Sequence, residues 1–299
     1  MSARELITEH LELWTGAVTK KSSSGRGSNG KVELTGVKKL RELILQLAVM
    51  GKLVEQDTRE ESTQELLQHI ALARSDEVPK KGKRQKLGPV ENSEMAFTKP
   101  ASWCWTRVGE LAVVKGGKRL PKGHKLTQAP TSHAYIRVTD MKHGSVRLDD
   151  LHFISDETFQ QIKKYTIAHQ DLYITIAGTI GAIGEIPSQL DGANLTENAA
   201  KLVRIGNIID KKFLKLVLSS TFAQAQFLDK VNQMAQPKLA LHRIESTAIA
   251  IPPLKEQYRI VQKVDELMAL CDRLEQQTSH QLEAHETLVD TLLGTLTQS

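Results

Sequence analysis

Apolar and polar positions along the chain change rhythm three times, and each rhythm predicts a different kind of structure. Across residues 37–54, Val37, Leu40, Ile44 and Leu47 recur at spacings of 3, 4 and 3, with Leu43 and Ala48 widening the stripe. That is the buried face of an amphipathic helix, and Gly51 near its end suits a C-terminus. Upstream, Leu6, Ile7, His10, Leu11, Trp14 and Ala17 fall near helical spacing. The basic Ser/Gly-rich stretch 20–31 after them reads as a flexible loop. Ser62, with Glu65 three residues on, forms a capping box that opens a short helix over 62–73. Residues 79–89, rich in lysine and bounded by prolines, read as an exposed linker.

From Trp103 the rhythm shortens. β-rich runs at 134–138, 171–176, 184–186 and 201–205 are separated by turn signals at Gly116-Gly117, His143-Gly144, Gly178, Gly181 and Asp191-Gly192. One helix interrupts them near 211–232, so an α+β domain is expected over 98–253. After Pro252-Pro253, Ile260, Val264, Leu267, Cys271 and Leu274 fall at 4, 3, 4 and 3, an a/d seam. Residues 254–299 therefore predict a helix of some 40 residues, about 60 Å long. Its seam needs a covering helix, from residues 37–54 or from another chain. Residues 1–97 make an N-terminal helical segment with basic linkers.

Composition narrows the function. At 299 residues and 40% hydrophobic, the chain has the make-up of an ordinary soluble protein, and no apolar run approaches the ~20 residues of a membrane span. Cys104 and Cys271 read as reduced thiols, and a cytoplasmic location follows. The net charge is +5, but its distribution matters more. Residues 98–253 hold 20 basic and 13 acidic side chains (+7), whereas 254–299 hold 4 and 8 (−4). The middle segment is where an anionic partner such as DNA would be met.

Signals for chemistry are missing. The sequence has no P-loop, and Gly178, Gly181 and Gly184 space themselves as a turn, not as a dinucleotide fingerprint. Pro252-Pro253 lacks the preceding Asn or Asp of an amino-methyltransferase loop. His124, His133, His143, His152, His169 and His242 are scattered without an i, i+4 metal pair. No metal site and no catalytic residue is expected.

Five segments, in this order, resemble the specificity subunit of type I restriction–modification enzymes. Leu40-Arg41-Glu42-Leu43-Ile44-Leu45-Gln46-Leu47-Ala48-Val49-Met50-Gly51-Lys52-Leu53-Val54 is similar to the family's proximal helix. Trp103-Cys104-Trp105-Thr106-Arg107-Val108-Gly109-Glu110 looks like its entry into a target recognition domain. Tyr135-Ile136-Arg137-Val138-Thr139-Asp140-Met141 and Asp171-Leu172-Tyr173-Ile174-Thr175-Ile176-Ala177-Gly178 resemble two of its strand motifs. Ile251-Pro252-Pro253-Leu254-Lys255-Glu256-Gln257 with Ile260-Val261, the most specific match, resembles the start of its conserved helix.

The resemblance implies a non-catalytic subunit that reads part of a bipartite site in double-stranded DNA. Methyltransferase and restriction subunits would be its partners. S-adenosylmethionine, ATP and Mg would sit on those partners, with no cofactor in this chain. Typical members hold two recognition domains and two conserved helices, whereas one of each is present here. Either a half-length subunit pairs with itself through the C-terminal helix, or the chain is a piece of a longer one.

On that reading, Lys and Arg neutralise phosphates and polar side chains read base edges. The candidates are Lys118, Arg119, Lys122 and Lys125 in one loop, Arg137 in the strand motif, Thr179 in the glycine turn, and Gln233, Gln236 and Lys238 in a third loop. Leu40, Ile44, Leu47, Ile260, Val264, Leu267, Cys271 and Leu274 are the candidate subunit interface. The rival expectation is a coiled-coil assembly adaptor whose middle domain binds protein; the +7 of residues 98–253 weighs against it.

Overall fold

The computed structural model describes residues 9, 11–17, 19–20, 32–57, 59–77, 87–229 and 237–296. They divide into two units, Met1–Glu55 with Arg259–Ser299, and Gln56–Tyr258. The basic stretch 21–31, most of the linker expected at 79–89, and Gln233 and Gln236 lie outside the described residues.

The first unit opens with α1 (Leu11–Gly16), the two-residue strands β1 (Thr19–Lys20) and β2 (Val32–Glu33), and α2 (Thr35–Val49). The stripe Val37, Leu40, Ile44 and Leu47 is buried, as its spacing predicts. Gly36 gives α2 its close start: a Cβ there would come within 2.2 Å of the Trp14 carbonyl oxygen. The helix stops at Val49, short of the expected 54, because Gly51 turns left-handed at φ 69°. Lys52 N–H then donates to the Leu47 carbonyl at 2.9 Å and Gly51 N–H to that of Ala48 at 3.3 Å. That is a Schellman closure.

The second unit begins with α3 (Thr63–Glu77). Its capping box forms: Ser62 N–H donates to Glu65 Oε2 at 3.0 Å, and Glu65 N–H to Ser62 Oγ at 3.2 Å. After β3 (Cys104–Arg107) and α4 (Val108–Leu111) come β4 (Ala112–Gly116), β5 (Ala134–Ile136), β6 (Met141–Lys142), β7 (Ser145–Val146) and β8 (His152–Phe153). Helix α5 (Asp156–Ile162) precedes β9 (Thr166–Ile167), β10 (Leu172–Thr175), β11 (Ile183–Glu185), β12 (Ala193–Leu195) and β13 (Ala199–Arg204).

Two four-stranded sheets result. One, ordered β11-β10-β13-β4, is antiparallel throughout; the other, ordered β8-β5-β12-β9, joins β5 and β12 in parallel. All four residues of β10 are buried, which is why residues 171–176 show no alternation. Ile136, Met141, Val146, Ile167, Tyr173 and Leu195 share one core. Tyr135, Ile154 and Ile162 make a second, with Leu120, Leu126 and Phe159 packed against it.

The helix expected over 211–232 is broken into α6 (Lys211–Ser219) and α7 (Thr221–Leu228). Ser220 adopts extended backbone and caps α7 by accepting from Ala223 N–H at 3.3 Å, which outcompetes helix continuation. Helix α8 (Leu241–Ser246) leads into β14 (Ala248–Ile251), which pairs antiparallel with β3. The fold is α+β.

Helix α9 (Leu254–Leu296) runs 43 residues, about 65 Å at 1.5 Å per residue. Its first turn belongs to the second unit. There Glu256 is buried and accepts from Trp103 Nε1–H at 2.9 Å and Gln56 Nε2–H at 2.7 Å. Gln257, also buried, accepts from Asp210 N–H at 2.9 Å and donates to the Pro252 carbonyl at 3.0 Å. The Pro-Pro-Leu-Lys-Glu-Gln sequence thus has a local reason: its last two side chains are internal ties.

Within the first unit the seam of α9 is covered along its first half. Ile260, Val264 and Cys271 are buried, Leu267 and Leu274 half-buried. Helix α2 lies beside this stretch, since Arg41 Nη2 donates to Asp272 Oδ1 and Glu275 Oε2, each at 2.7 Å. Burial pushes the Cys271 thiol above its ordinary range.

Candidate nucleic-acid interface

Three loops far apart in sequence meet at one turn, Thr196-Glu197-Asn198, between β12 and β13. The chain leaving β4 is tied there first: Gly117 N–H donates to the Ala199 carbonyl at 2.9 Å and Lys118 N–H to that of Leu195 at 2.8 Å. Only glycine fits at 117, because a Cβ would stand 2.1 Å from the Thr196 carbonyl oxygen. The turn after β10 is tied next, through Ile176 N–H and Ala177 N–H to the Asn198 carbonyl at 2.8 and 3.2 Å. The third loop arrives through Leu239 N–H on the Ile176 carbonyl at 2.8 Å and Lys238 Nζ on the Glu197 carbonyl at 3.4 Å.

The side chains presented by these loops are mostly cationic. Lys118, Arg119, Lys122, Lys125 and Lys238 are exposed, and so is Thr179. Tyr135 Oη–H donates to the Lys118 carbonyl at 2.8 Å, and Lys118 Nζ stands 5.6 Å from the Tyr165 ring centre. Farther along, His124 Nδ1 lies 2.7 Å from Thr158 Oγ1, anchoring the segment that carries Lys122 and Lys125. Arg119 Nε–H donates to Glu197 Oε1 at 2.7 Å.

The glycine turn is rigid. Gly178 and Gly181 have φ of 79° and 87°, values that L residues rarely adopt. Thr175 Oγ1–H donates to the Thr179 carbonyl, and Gln224 Nε2–H to that of Gly181 at 2.8 Å. Thr179 is thereby held outward on a fixed backbone.

Arg137 stands apart from this group. Its guanidinium donates to Asp140 and to Asp150 Oδ2 at 2.9 Å, and Nη1 lies 3.2 Å from His152 Nε2. With Asp140 the larger contributor and Asp150 assisting, the guanidinium sits above its ordinary pKa despite burial. It is an internal strut that shapes the chain between β5 and β8. Sequence reasoning missed Thr196, Glu197 and Asn198, which follow three buried residues and carry no motif.

His133 stacks on Phe159 at 3.8 Å and meets Asp156; His169 meets Asp191 at 3.0 Å. Among the described residues no three His, Cys, Asp or Glu side chains gather as a metal site would require. Among them, too, no helix is long and apolar enough to cross a membrane.

Residues 100–284 match the family model described as the type I restriction modification DNA specificity domain. The chain belongs to that specificity-subunit family. It is 37% identical, over its whole length, to the type I restriction enzyme EcoAI specificity subunit of Escherichia coli, covering 51% of that protein. It is 35% identical to the EcoEI specificity subunit of the same organism, again over its whole length and 50% of the relative. The chain therefore spans about half the length of the curated specificity subunits it matches. Among solved structures, it aligns over 85% of its length with 53% of a chain from a study of type I R-M complex assembly and conformational transition. The TM-score is 0.51 at 15% identity, a likeness of fold. The three converging loops all lie within the matched specificity domain.

Proposed function

We propose that this chain is a non-catalytic recognition subunit whose second unit reads one half of a bipartite site in double-stranded DNA. The observation that carries the reading is the meeting of three loops at Thr196–Asn198, two of them cationic and the third presenting Thr179, inside a DNA specificity domain. Lys118, Lys122, Lys125 and Lys238 bind phosphates, and Thr179 stands beside them as a hydroxyl on a rigid turn. Helix α9, with α2 along its first half, docks methyltransferase and restriction subunits. S-adenosylmethionine, ATP and Mg belong to those partners, and the work is cytoplasmic. The other half-site falls to a second recognition domain. That domain belongs either to a second copy paired through α9, covering the exposed Leu288 and Val289, or to the same polypeptide.

Binding of duplex DNA by the chain with its methyltransferase subunits, measured against salt, tests this. Lys118→Ala with Lys122→Ala should weaken binding and reduce the slope of log affinity on log salt by about 0.9 for each phosphate left without its lysine. An unchanged slope and affinity would remove these residues from the interface. A palindromic motif would favour a second copy; an asymmetric one, a second domain.

A further inference from the structure

The cations on the candidate face are not equivalent. Four are lysines, while Arg119 is hydrogen-bonded through Nε–H to a carboxylate. Glu197 is the rooted partner: its side chain is 24% exposed against 79% for Arg119. Its Oε2 accepts from Thr196 Oγ1–H at 3.0 Å, and Thr196 is itself buried. Burial works against ionisation of Glu197, yet Arg119, its own backbone N–H and Thr196 hold the carboxyl below its ordinary range. The backbone before Arg119 is registered to the same turn through Gly117 and Lys118. Both members of the pair are therefore fixed at their bases.

A phosphate anchor works through net positive charge, and an arginine beside a carboxylate has almost none to give. What the pair keeps is direction. Glu197 takes the Nε–H, and among the described residues neither Nη of Arg119 has a protein acceptor. The Nη edge of the guanidinium thus remains a planar fork of donors on a side chain that is 79% exposed. Two acceptors side by side on a base edge, O6 and N7 of guanine in the major groove, match that fork.

We infer that Arg119 is a base-reading residue that selects a guanine in the half-site, and that Glu197 is its positioning residue. The inference rests on the reading of this face as the DNA surface, and it separates Arg119 from the lysines around it. Lysine at 119 keeps the charge and loses the fork. Glutamine at 197 leaves an acceptor for Nε but unmasks a positive charge.

The test is selection of duplexes from a randomised pool by the chain with its methyltransferase subunits, alongside salt titrations. The selected motif should contain a guanine at which Arg119→Lys lowers discrimination about tenfold or more. Glu197→Gln should blur the same position while raising affinity for unrelated DNA. The double variant Arg119→Ala, Glu197→Ala removes a neutral pair, so its salt slope should match wild type. A slope lower by about one would make Arg119 a phosphate anchor and overturn the inference. An unblurred motif in Arg119→Lys would overturn it also, with DNA reading intact. If the wild-type chain selects no motif, the reading of the face falls and takes this inference with it.

Discussion

Trp103 donates its indole N–H to the carboxylate of Glu256 at 2.9 Å, across 153 residues of sequence and in a fully buried setting. The bond ties the start of β3 in the second unit to the first turn of α9. Gln56 completes it, donating to the same Glu256 oxygen while accepting from Ser102 Oγ–H at 2.5 Å. Trp103 and the Pro-Pro-Leu-Lys-Glu-Gln segment, two of the most recognisable pieces of the sequence, are thus halves of one structural joint.

Glu256→Ala should destabilise the second unit by at least about 1–3 kcal/mol, because it leaves the buried Trp103 donor without a partner. Glu256→Gln keeps an acceptor and should cost less. Urea denaturation midpoints of the two variants check this; equal destabilisation in both would mean that the carboxylate oxygen is not what Trp103 requires.

Gly117→Ala should damage the candidate interface from within. The added Cβ meets the backbone oxygens of Thr196 and Leu195 at 2.1 and 2.4 Å, so the strand end must move. A cost of about 1–3 kcal/mol is expected, with weaker DNA binding although no charge is removed. Thermal melting and gel shift together check it, and wild-type behaviour in both would mean the turn yields more easily than its geometry implies.

Much of the fold was legible in the sequence, and the reason is local periodicity. The stripe of α2, the capping box of Ser62 and Glu65 and the seam of α9 each depend on residues within a turn or two of one another. The meeting at Thr196–Asn198 depends on backbone bonds from positions 117, 118, 176 and 177, which no spacing rule encodes. Loop composition identified Lys118 and Lys238 as candidates, yet gave no sign that both reach the same turn. Arg137 shows the converse: a cation in a recognisable strand motif, spent on Asp140 and Asp150. The break at Ser220 was hidden because residues on both sides keep helical apolar spacing.

Acid should loosen the Arg107 joint. Its guanidinium donates to the carbonyls of Gly88, Pro89 and Ser246 and to both oxygens of Glu94. Arg107, then the Glu91 backbone N–H, hold the Glu94 carboxyl below the ordinary 4.5. A depressed carboxyl pKa contributes stability that is complete above the unfolded value and is lost as pH falls through the folded one. The advantage of wild type over Glu94→Gln should therefore be constant above about pH 4.5 and shrink below it. Urea midpoints across that range check the sign; an advantage that grows on acidification would contradict it.

Arg41→Ala should weaken the first unit only slightly. Asp272 and Glu275 are 73% and 51% exposed, so solvent screens both pairs and about 0.2–1 kcal/mol is expected. The effect should fade at high salt, read as a difference in melting temperature between low and high ionic strength. An effect independent of salt would assign Arg41 a packing role instead.

Loops 117–125, 177–181 and 237–239 are proposed to read DNA on behalf of methyltransferase subunits. Mapping methylated bases across the genome of cells expressing this chain with its methyltransferase subunits tests this most directly. The expected result is a split motif, abolished or blurred in one half (in both, if two copies pair) when Lys118, Lys122 and Lys125 are changed to alanine. Methylation that needs the chain yet keeps the same sharp motif in that variant would contradict the claim.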